Sequence, residues 1–115
     1  MKAINARNVG IDSGSMMLFS DFQDGGPMWT GTGERSVRRD VRFACAFAQP
    51  PAVILGISLW DMDHRSNLRA DLTAEAITTT GFQIVFRTWG DSRIARIRAN
   101  WTAMGSLPNE DDWRL

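Results

Sequence analysis

Strict alternation of apolar and polar residues is the main pattern along this chain. It is clearest over residues 92–105, where alanines, Ile97 and Trp101 take every second position and arginine or asparagine lies between several of them. Successive side chains of a β-strand point to opposite faces of a sheet, so a period of two predicts a strand with one buried face. Residues 52–60 are almost continuously apolar, which predicts a strand buried on both sides.

Three further segments show strand patterns. In residues 41–47 the apolar side chains of Val41, Phe43 and Phe47 alternate with smaller or charged residues, and Cys45 shares their parity, so we expect it to be a small core residue. Residues 82–89 follow a Thr-Gly turn, and residues 15–22 form a first strand that ends in a glycine- and proline-rich loop.

Residues 67–76 have two interpretations. Their apolar residues recur at every second position, but alanine, leucine, glutamate and arginine also favour an amphipathic helix. The strict spacing of two and the neighbouring strand patterns favour a strand.

Six strands at intervals of about ten residues, joined by turns rich in glycine, proline and aspartate, predict an all-β protein, a six-stranded antiparallel β-sandwich. The 115 residues suffice for one domain. We place the domain at residues 9–105, with an N-terminal extension at 1–8 and a polar tail at 106–115. The tail is expected to be loosely attached, except where Trp113 docks.

Charge and cysteine content narrow the class of protein. Thirteen basic and thirteen acidic residues balance, which argues against nucleic acid as a partner. No apolar run approaches the roughly 18–20 residues of a membrane span, and no apolar segment follows Lys2 as in a secretory signal. A lone cysteine fits a reducing compartment or release without Sec export. The cellular location stays open between these two.

Twelve of the thirteen basic residues are arginine. A GC-rich genome would produce this bias, and so would use of the guanidinium fork in contacts. Arginines cluster at residues 35–42 and 93–98, where they could form a stripe for nucleic acid. The equal number of acids favours the alternative that they form ion pairs, with Glu34, Asp40, Asp71 and Glu75 as expected partners.

Catalytic signatures are weak. Asp61, Asp63 and His64 could hold a metal or perform acid–base chemistry. Three adjacent residues are too few for a metal site without a second cluster, so a charged turn fixed by an aspartate is the favoured interpretation. The chain has no G-x-S-x-G motif and no Cys/His pair suited to nucleophilic catalysis. We therefore predict a non-enzyme without metal or cofactor.

An ordered set of short motifs carries a resemblance to a known family. Between about residues 35 and 101 the chain has, in order, two phenylalanines before Pro50-Pro51, then Leu-Trp-Asp at 59–61, Asn-Leu-Arg at 67–69, Thr-Gly-Phe at 80–82, Thr-Trp at 88–89 and Trp101. This set resembles the H-type lectin domain, the family of snail agglutinins and of the C-terminal domain of discoidins. The chain is identified as a bacterial member.

The resemblance implies a homotrimer, with a hexamer left open, that binds galactose or N-acetylgalactosamine glycans where subunits meet, without a metal. By position, Arg69 is expected to hydrogen-bond sugar hydroxyls. Gly90 and Ala95 stand where the snail proteins have histidine and tyrosine, and Asp91 is expected to replace the lost polar group. An ion pair with Asp71 or Glu75 is the alternative role of Arg69.

The family also uses an acidic residue that a neighbouring protomer donates from the loop before the second strand. In this chain Thr32 stands at that position and Glu34 carries the loop's carboxylate. Trp89 is expected to cover the apolar face of a sugar, or else to be a buried sheet residue. The function predicted is therefore a metal-independent lectin. The alternative is a trimeric structural or adaptor module, such as a phage-like appendage or adhesion component, that keeps the fold without the sugar site.

Overall fold

The computed structural model describes residues 1–108, and the rest of the predicted tail, with Trp113, lies outside the described residues. Over this part of the chain there are six strands and one short helix. Their bounds are β1 (Val9–Ser20), α1 (Pro27–Thr30), β2 (Arg35–Arg42), β3 (Ala52–Met62), β4 (Asp71–Glu75), β5 (Gly81–Thr88) and β6 (Ile94–Ser106).

The strands form two three-stranded antiparallel sheets. The first sheet has the order β1-β6-β3 and the second has the order β2-β5-β4. The inner faces of both contribute to one hydrophobic core. The predicted six-stranded antiparallel sandwich is thus confirmed.

Aromatic residues fill one end of this core. Phe82 and Trp101 meet edge to face with ring centroids 5.6 Å apart, and Phe43 packs against both. Phe47 closes the group at 5.0 Å from Phe43. Edge-to-face packing of this kind adds to the free energy gained from burial, so these aromatic residues join the two sheets.

The first predicted strand was placed too late in the chain. β1 begins at Val9 and ends at Ser20, whereas residues 15–22 were expected. Its first half lacks a clear apolar pattern because its outward residues are exposed while glycines lie on the inner side. Gly14 leaves room there for the Trp101 ring, since an added Cβ would lie 2.9 Å from the indole nitrogen.

Cys45 is exposed, so its prediction as a core residue was wrong. β2 ends at Arg42, and the next residues turn across the end of the sandwich instead of continuing the ladder. The backbone N–H groups of Phe43 and Phe47 donate to Thr80 and Thr79, which brings both rings inward. Alternate residues therefore no longer point to the same face once the chain has left the paired strand.

β3 was expected to be buried on both faces, and this was also wrong. Ile54 is 67% exposed. Trp60 is also 58% exposed, although it lies near the end of β3 on the inner face, opposite the core residue Ile97. A two-layer sandwich covers only one face of each sheet, so the outward residues of β3 have no covering layer within the described chain. The position of Ile54 opposite Thr102 of β6 places it on the outer face of the first sheet.

Residues 67–76 contain a strand, as favoured, but it is short. β4 covers only Asp71–Glu75, because the backbone at 67–70 bonds to side chains of the β5–β6 region instead of to a ladder. Ala76 has left the strand, with a φ of +52° and an exposed side chain.

Arginines pair with acids across both outer faces, but of the four expected partners only Asp71 and Glu75 form ion pairs within residues 1–108. Asp40 instead accepts a hydrogen bond from Gln83. On the second sheet Arg87 contacts Glu75 at 2.8 Å and Asp71 at 3.7 Å, and Arg38 contacts Glu75 at 3.6 Å. On the first, Arg96 contacts Asp61 at 3.2 Å. Within residues 1–108, no helix has the length and apolar character needed to cross a bilayer.

Candidate functional site

Three connecting segments meet at one end of the sandwich. The segment before β2 contacts the β5–β6 turn through the Gly33 N–H, which donates to the Gly90 carbonyl at 2.9 Å. The β3–β4 loop joins the same turn where the Asp63 N–H donates to the Arg93 carbonyl at 2.9 Å. This end collects all six residues that the resemblance selected.

Arg69 and Asp91 form an ion pair at this end, 22 positions apart in sequence. The side chain of Arg69 is 34% exposed and that of Asp91 is 59% exposed, so both can be reached from solvent. The hydrogen bond from Arg69 is the main cause that lowers the pKa of Asp91. Arg69 therefore pairs with Asp91, and the alternative partners, Asp71 and Glu75, contact Arg87 instead.

Gly90 makes this arrangement possible. Its φ is +69°, a conformation that glycine adopts without strain. A Cβ built there would lie 3.1 Å from Nη1 and 3.3 Å from Cζ of Arg69, so the guanidinium packs directly on the glycine backbone. Any side chain at this position would be strained by the positive φ and would require the Arg69 guanidinium to shift. The departure from the family pattern is thus tied to the position of the arginine.

Ser92 and Arg35 hold the site together, although neither is among the site residues predicted from the sequence. The Ser92 hydroxyl donates to the Asn67 carbonyl at 2.6 Å and accepts from the Arg69 N–H at 2.9 Å. The Arg35 guanidinium donates to the carbonyls of Ser92, Gly90 and Gly33 at 2.8–3.2 Å. Burial lowers the pKa of Arg35, although arginine stays charged at any physiological pH. The feature of the sequence that points to Ser92 as a site residue is its position directly after Asp91.

Glu34 and Trp89 lie beside a cleft that Arg69 does not line. This cleft has a volume of about 660 Å³, and its walls come from the start of β2, the start of β4 and the end of β5. Trp89 is 44% exposed and lies just beyond β5, so the alternative of a buried sheet residue is wrong. Thr32 is exposed on the segment before β2. The six residues therefore share one end but fall into two groups.

The Asp61–His64 segment is the end of β3 followed by the start of a charged turn, since Asp61 still pairs with β6 and His64 lies in the turn. Asp63 is buried, and its carboxylate accepts hydrogen bonds from the backbone and side chain of Arg65 at 3.0–3.1 Å. These bonds, from the Arg65 side chain above all, lower the pKa of Asp63 to about 2. The side chain of His64 is 91% exposed. Over residues 1–108, no three histidine, cysteine or acidic side chains converge where a metal could bind.

Comparison with known proteins places this chain in a family. The model of the H-type lectin domain matches residues 38–104, more than half of the chain. The chain belongs to the H-type lectin domain family. The match covers β3 to β5 entirely and most of β2 and β6, so it includes Arg69, Gly90 and Asp91.

Individual relatives agree with this membership. A protein of the bacterium Fuscovulum blasticum, described as ATP synthase subunits region ORF 7, is 57% identical over 108 residues, which is 94% of each chain. Its source is in keeping with the expected bacterial membership. Discoidin-2 of Dictyostelium discoideum is 34% identical over 77 residues, covering 65% of this chain and 30% of discoidin-2.

A solved structure, that of discoidin II from Dictyostelium discoideum, is similar to this one. Its TM-score is 0.76 at 25% identity, and the match covers 94% of this chain and 40% of discoidin II. This chain therefore spans less than half of the discoidins that it resembles.

Proposed function

We propose that this protein is a metal-independent lectin that binds glycans of the galactose and N-acetylgalactosamine type. The observation that carries the proposal is the solvent-accessible pair of Arg69 and Asp91, held by buried Ser92 in a domain of the H-type lectin family. A guanidinium donates several hydrogen bonds in one plane, and a carboxylate can accept several from other groups. Adjacent sugar hydroxyls both donate and accept, so this pair can bind two of them together.

Selectivity would come from hydroxyl geometry. An axial hydroxyl next to an equatorial one, as in galactose, points in a different direction from two equatorial ones. Arg69 packs against the backbone of Gly90, which limits the directions in which the guanidinium can donate. A sugar whose hydroxyls do not match would leave donors unpaired, and an unpaired polar group costs about 1–3 kcal/mol.

We propose that three chains assemble around the outer face of the first sheet. That face carries a group of exposed apolar side chains, which we call the apolar face: Val9, Ile11, Met17, Ile54 and Met104. Exposed apolar groups of this kind mark interaction sites in soluble proteins. A three-fold assembly uses heterologous contacts, so each binding site can include a neighbour's residue. Thr32, on the segment before β2, is our candidate for that contribution.

Assembly would also raise affinity. A single, hydrated sugar site in the millimolar range corresponds to about −4 kcal/mol. Presenting several such sites together raises avidity by roughly 10²–10⁴ without new contacts. Trimer formation is therefore part of the proposed mechanism.

The decisive variant is Arg69→Ala. Removing the guanidinium deletes hydrogen bonds to sugar, so we expect affinity for N-acetylgalactosamine to fall at least about tenfold. The measurement is calorimetry on purified protein together with a glycan array. The matched control is Arg38→Ala, which removes an ion-paired arginine from the outer face of the second sheet. Light scattering should report the same assembly for both variants, and unchanged sugar binding by Arg69→Ala would exclude Arg69 from the site.

The rival function is a trimeric structural or adaptor module. It is favoured by Gly90 and Ala95, since neither has a polar side chain and Ala95 is only 6% exposed. A wild-type trimer that binds no glycan on the array would support this module and refute the lectin. Addition of EDTA should leave glycan binding unchanged. Loss of glycan binding in EDTA would refute metal independence.

A further inference from the structure

The cleft of about 660 Å³ on the second sheet adjoins the Arg69–Asp91 pair but is separate from it. Arg69 and Asp91 do not line it, whereas Glu34, Ser36, Asp71, Arg87 and Trp89 do. Ser36, Arg87 and Asp71 lie side by side in one cross-strand row. The volume falls within the range of roughly 300–1,000 Å³ that is typical of ligand sites. This is ample for a sugar residue beyond the one that Arg69 would hold.

We propose that this cleft is an extension subsite for a second sugar residue, so that the preferred ligand is a neutral oligosaccharide rather than a monosaccharide. The proposal rests on the lectin function proposed above. It assigns Trp89 and Glu34 to the extension subsite, whereas the resemblance placed them with Arg69 around a single sugar.

Trp89 and Glu34 supply the two kinds of contact that a sugar ring needs. Trp89 is 44% exposed beside the cleft, so its ring is available to the apolar face of a sugar. An aromatic ring provides this contact area at a low cost in conformational entropy. The Glu34 side chain is exposed, and within residues 1–108 its carboxylate has no ion pair or hydrogen bond. Both of its oxygens can therefore accept from sugar hydroxyls.

The charges of the cleft favour a neutral ligand. The guanidinium of Arg87 already contacts Glu75 at 2.8 Å, Asp71 at 3.7 Å and the Thr73 hydroxyl at 3.2 Å. Arg35, the other cation in the wall, donates to backbone carbonyls. A sugar carboxylate would have to displace these partners and would also lie near Glu34. Like charges at close range disfavour binding, so acidic sugars are excluded.

The two subsites share one backbone element. Arg69 packs on Gly90 through its guanidinium, and Arg35 of the cleft donates to the Gly90 carbonyl at 3.2 Å. Asp71 follows Arg69 by two residues, and the Thr88 hydroxyl donates to the Arg69 carbonyl. A glycan can therefore pass from one subsite to the other over the β5–β6 turn. Because the cleft lies on the second sheet, assembly through the apolar face leaves it open.

The test fills the cleft without changing the Arg69 pair. Ser36→Tyr places a large side chain in the wall of the cleft, and Arg42→Tyr places the same residue on the same strand and face, six residues away from Ser36. Calorimetry compares N-acetylgalactosamine with a neutral tetrasaccharide that ends in the same sugar. We expect wild type and Arg42→Tyr to prefer the tetrasaccharide by about tenfold, which is about 1.4 kcal/mol. Ser36→Tyr should lose this preference and keep its affinity for the monosaccharide.

A second variant and a second ligand make the result decisive. Trp89→Ala should also lose the preference, which covers the case that Ser36→Tyr does not fold. A tetrasaccharide of equal length with an acidic second residue should bind no better than the monosaccharide. Equal affinity of wild type for the two neutral ligands, or a preference that survives in Ser36→Tyr and Trp89→Ala, would overturn the extension subsite while leaving the lectin intact. Failure of wild type to bind either ligand would instead overturn the lectin and the subsite together.

Discussion

The outer faces of the two sheets differ in the way they meet solvent. On the first sheet, Ile11 and Ile54 are 65% and 67% exposed, and no layer within the described chain covers them. On the second sheet, Val85 also points outward, opposite Arg38 and Thr73, but it is completely buried. The long side chains of Arg38, Arg87 and Glu75 pair with one another around it.

This difference shows how each face avoids the cost of exposed apolar surface. Arginine stems can cover apolar groups while their charged ends remain in water, so the second sheet needs no partner. The first sheet has no such cover over its apolar face within the described residues, and a second copy of the chain is the partner that we propose. The face that is complete within one chain is also the one that carries the cleft. Assembly and extended ligand contact are therefore assigned to opposite sides of the sandwich.

The largest effect is expected from a charge on the apolar face. Ile54→Asp would bury a carboxylate without a partner in the proposed interface, so the trimer should be lost. Light scattering at micromolar concentration should report a particle of 12.9 kDa instead of three times that mass. Arg42→Asp, which puts the same group on the second sheet, should leave the trimer intact. A wild-type protein that is already monomeric would refute the proposed assembly.

Asp63 differs from the paired acids of the second sheet, Glu75 and Asp71, because its carboxylate is buried and theirs are partly exposed. The folded pKa of Asp63 is about 2, below its ordinary value of 3.8. Its contribution to stability is therefore complete above pH 3.8 and is lost as the pH falls toward 2. Urea unfolding at pH 5, 3 and 2 should show this loss in wild type and a weaker one in Asp63→Asn. Equal pH dependence of the two proteins would contradict the assignment.

A smaller effect is expected from Val85→Thr. The shape of the side chain is nearly kept, but a hydroxyl is placed beneath the paired arginines where water is excluded. We expect the free energy of unfolding to fall by about 1–3 kcal/mol, the cost of an unsatisfied buried polar group. Urea unfolding measures this directly. An unchanged free energy would show that the arginines leave a path for water, and the two outer faces would then differ less than we conclude.

Much of the fold was predictable because local pattern and strand geometry share a period of two. Residues 92–105 were assigned as a strand, and β6 covers Ile94–Ser106. The errors occur where tertiary contacts replace the ladder. At Cys45 the chain has turned across the end of the sandwich, and at 67–70 the backbone bonds to Thr88 and Ser92 instead of a neighbouring strand. No local pattern distinguishes these cases.

The site was predictable only in part. The Asn-Leu-Arg and Thr-Trp motifs select Arg69 and the β5–β6 turn through the resemblance to the H-type lectin domain. Arg35 gave no such signal, since it joins two segments by donating to the nearby Gly33 carbonyl and to the Gly90 and Ser92 carbonyls more than 50 residues away. The separation of Glu34 and Trp89 from Arg69 could not be predicted either, because it depends on which segments come together to line the cleft.

The sequence by itself determined that this chain forms antiparallel strands with one apolar side each, since alternation of side chains is a local property of an extended backbone. It also determined the family, through short motifs in a fixed order. Only the tertiary structure decided which apolar residues are covered, because burial depends on strand order and on what packs over a face. In the same way, it brought Arg69 to Asp91 and opened the cleft beside them, since both depend on contacts between segments that are far apart in the chain.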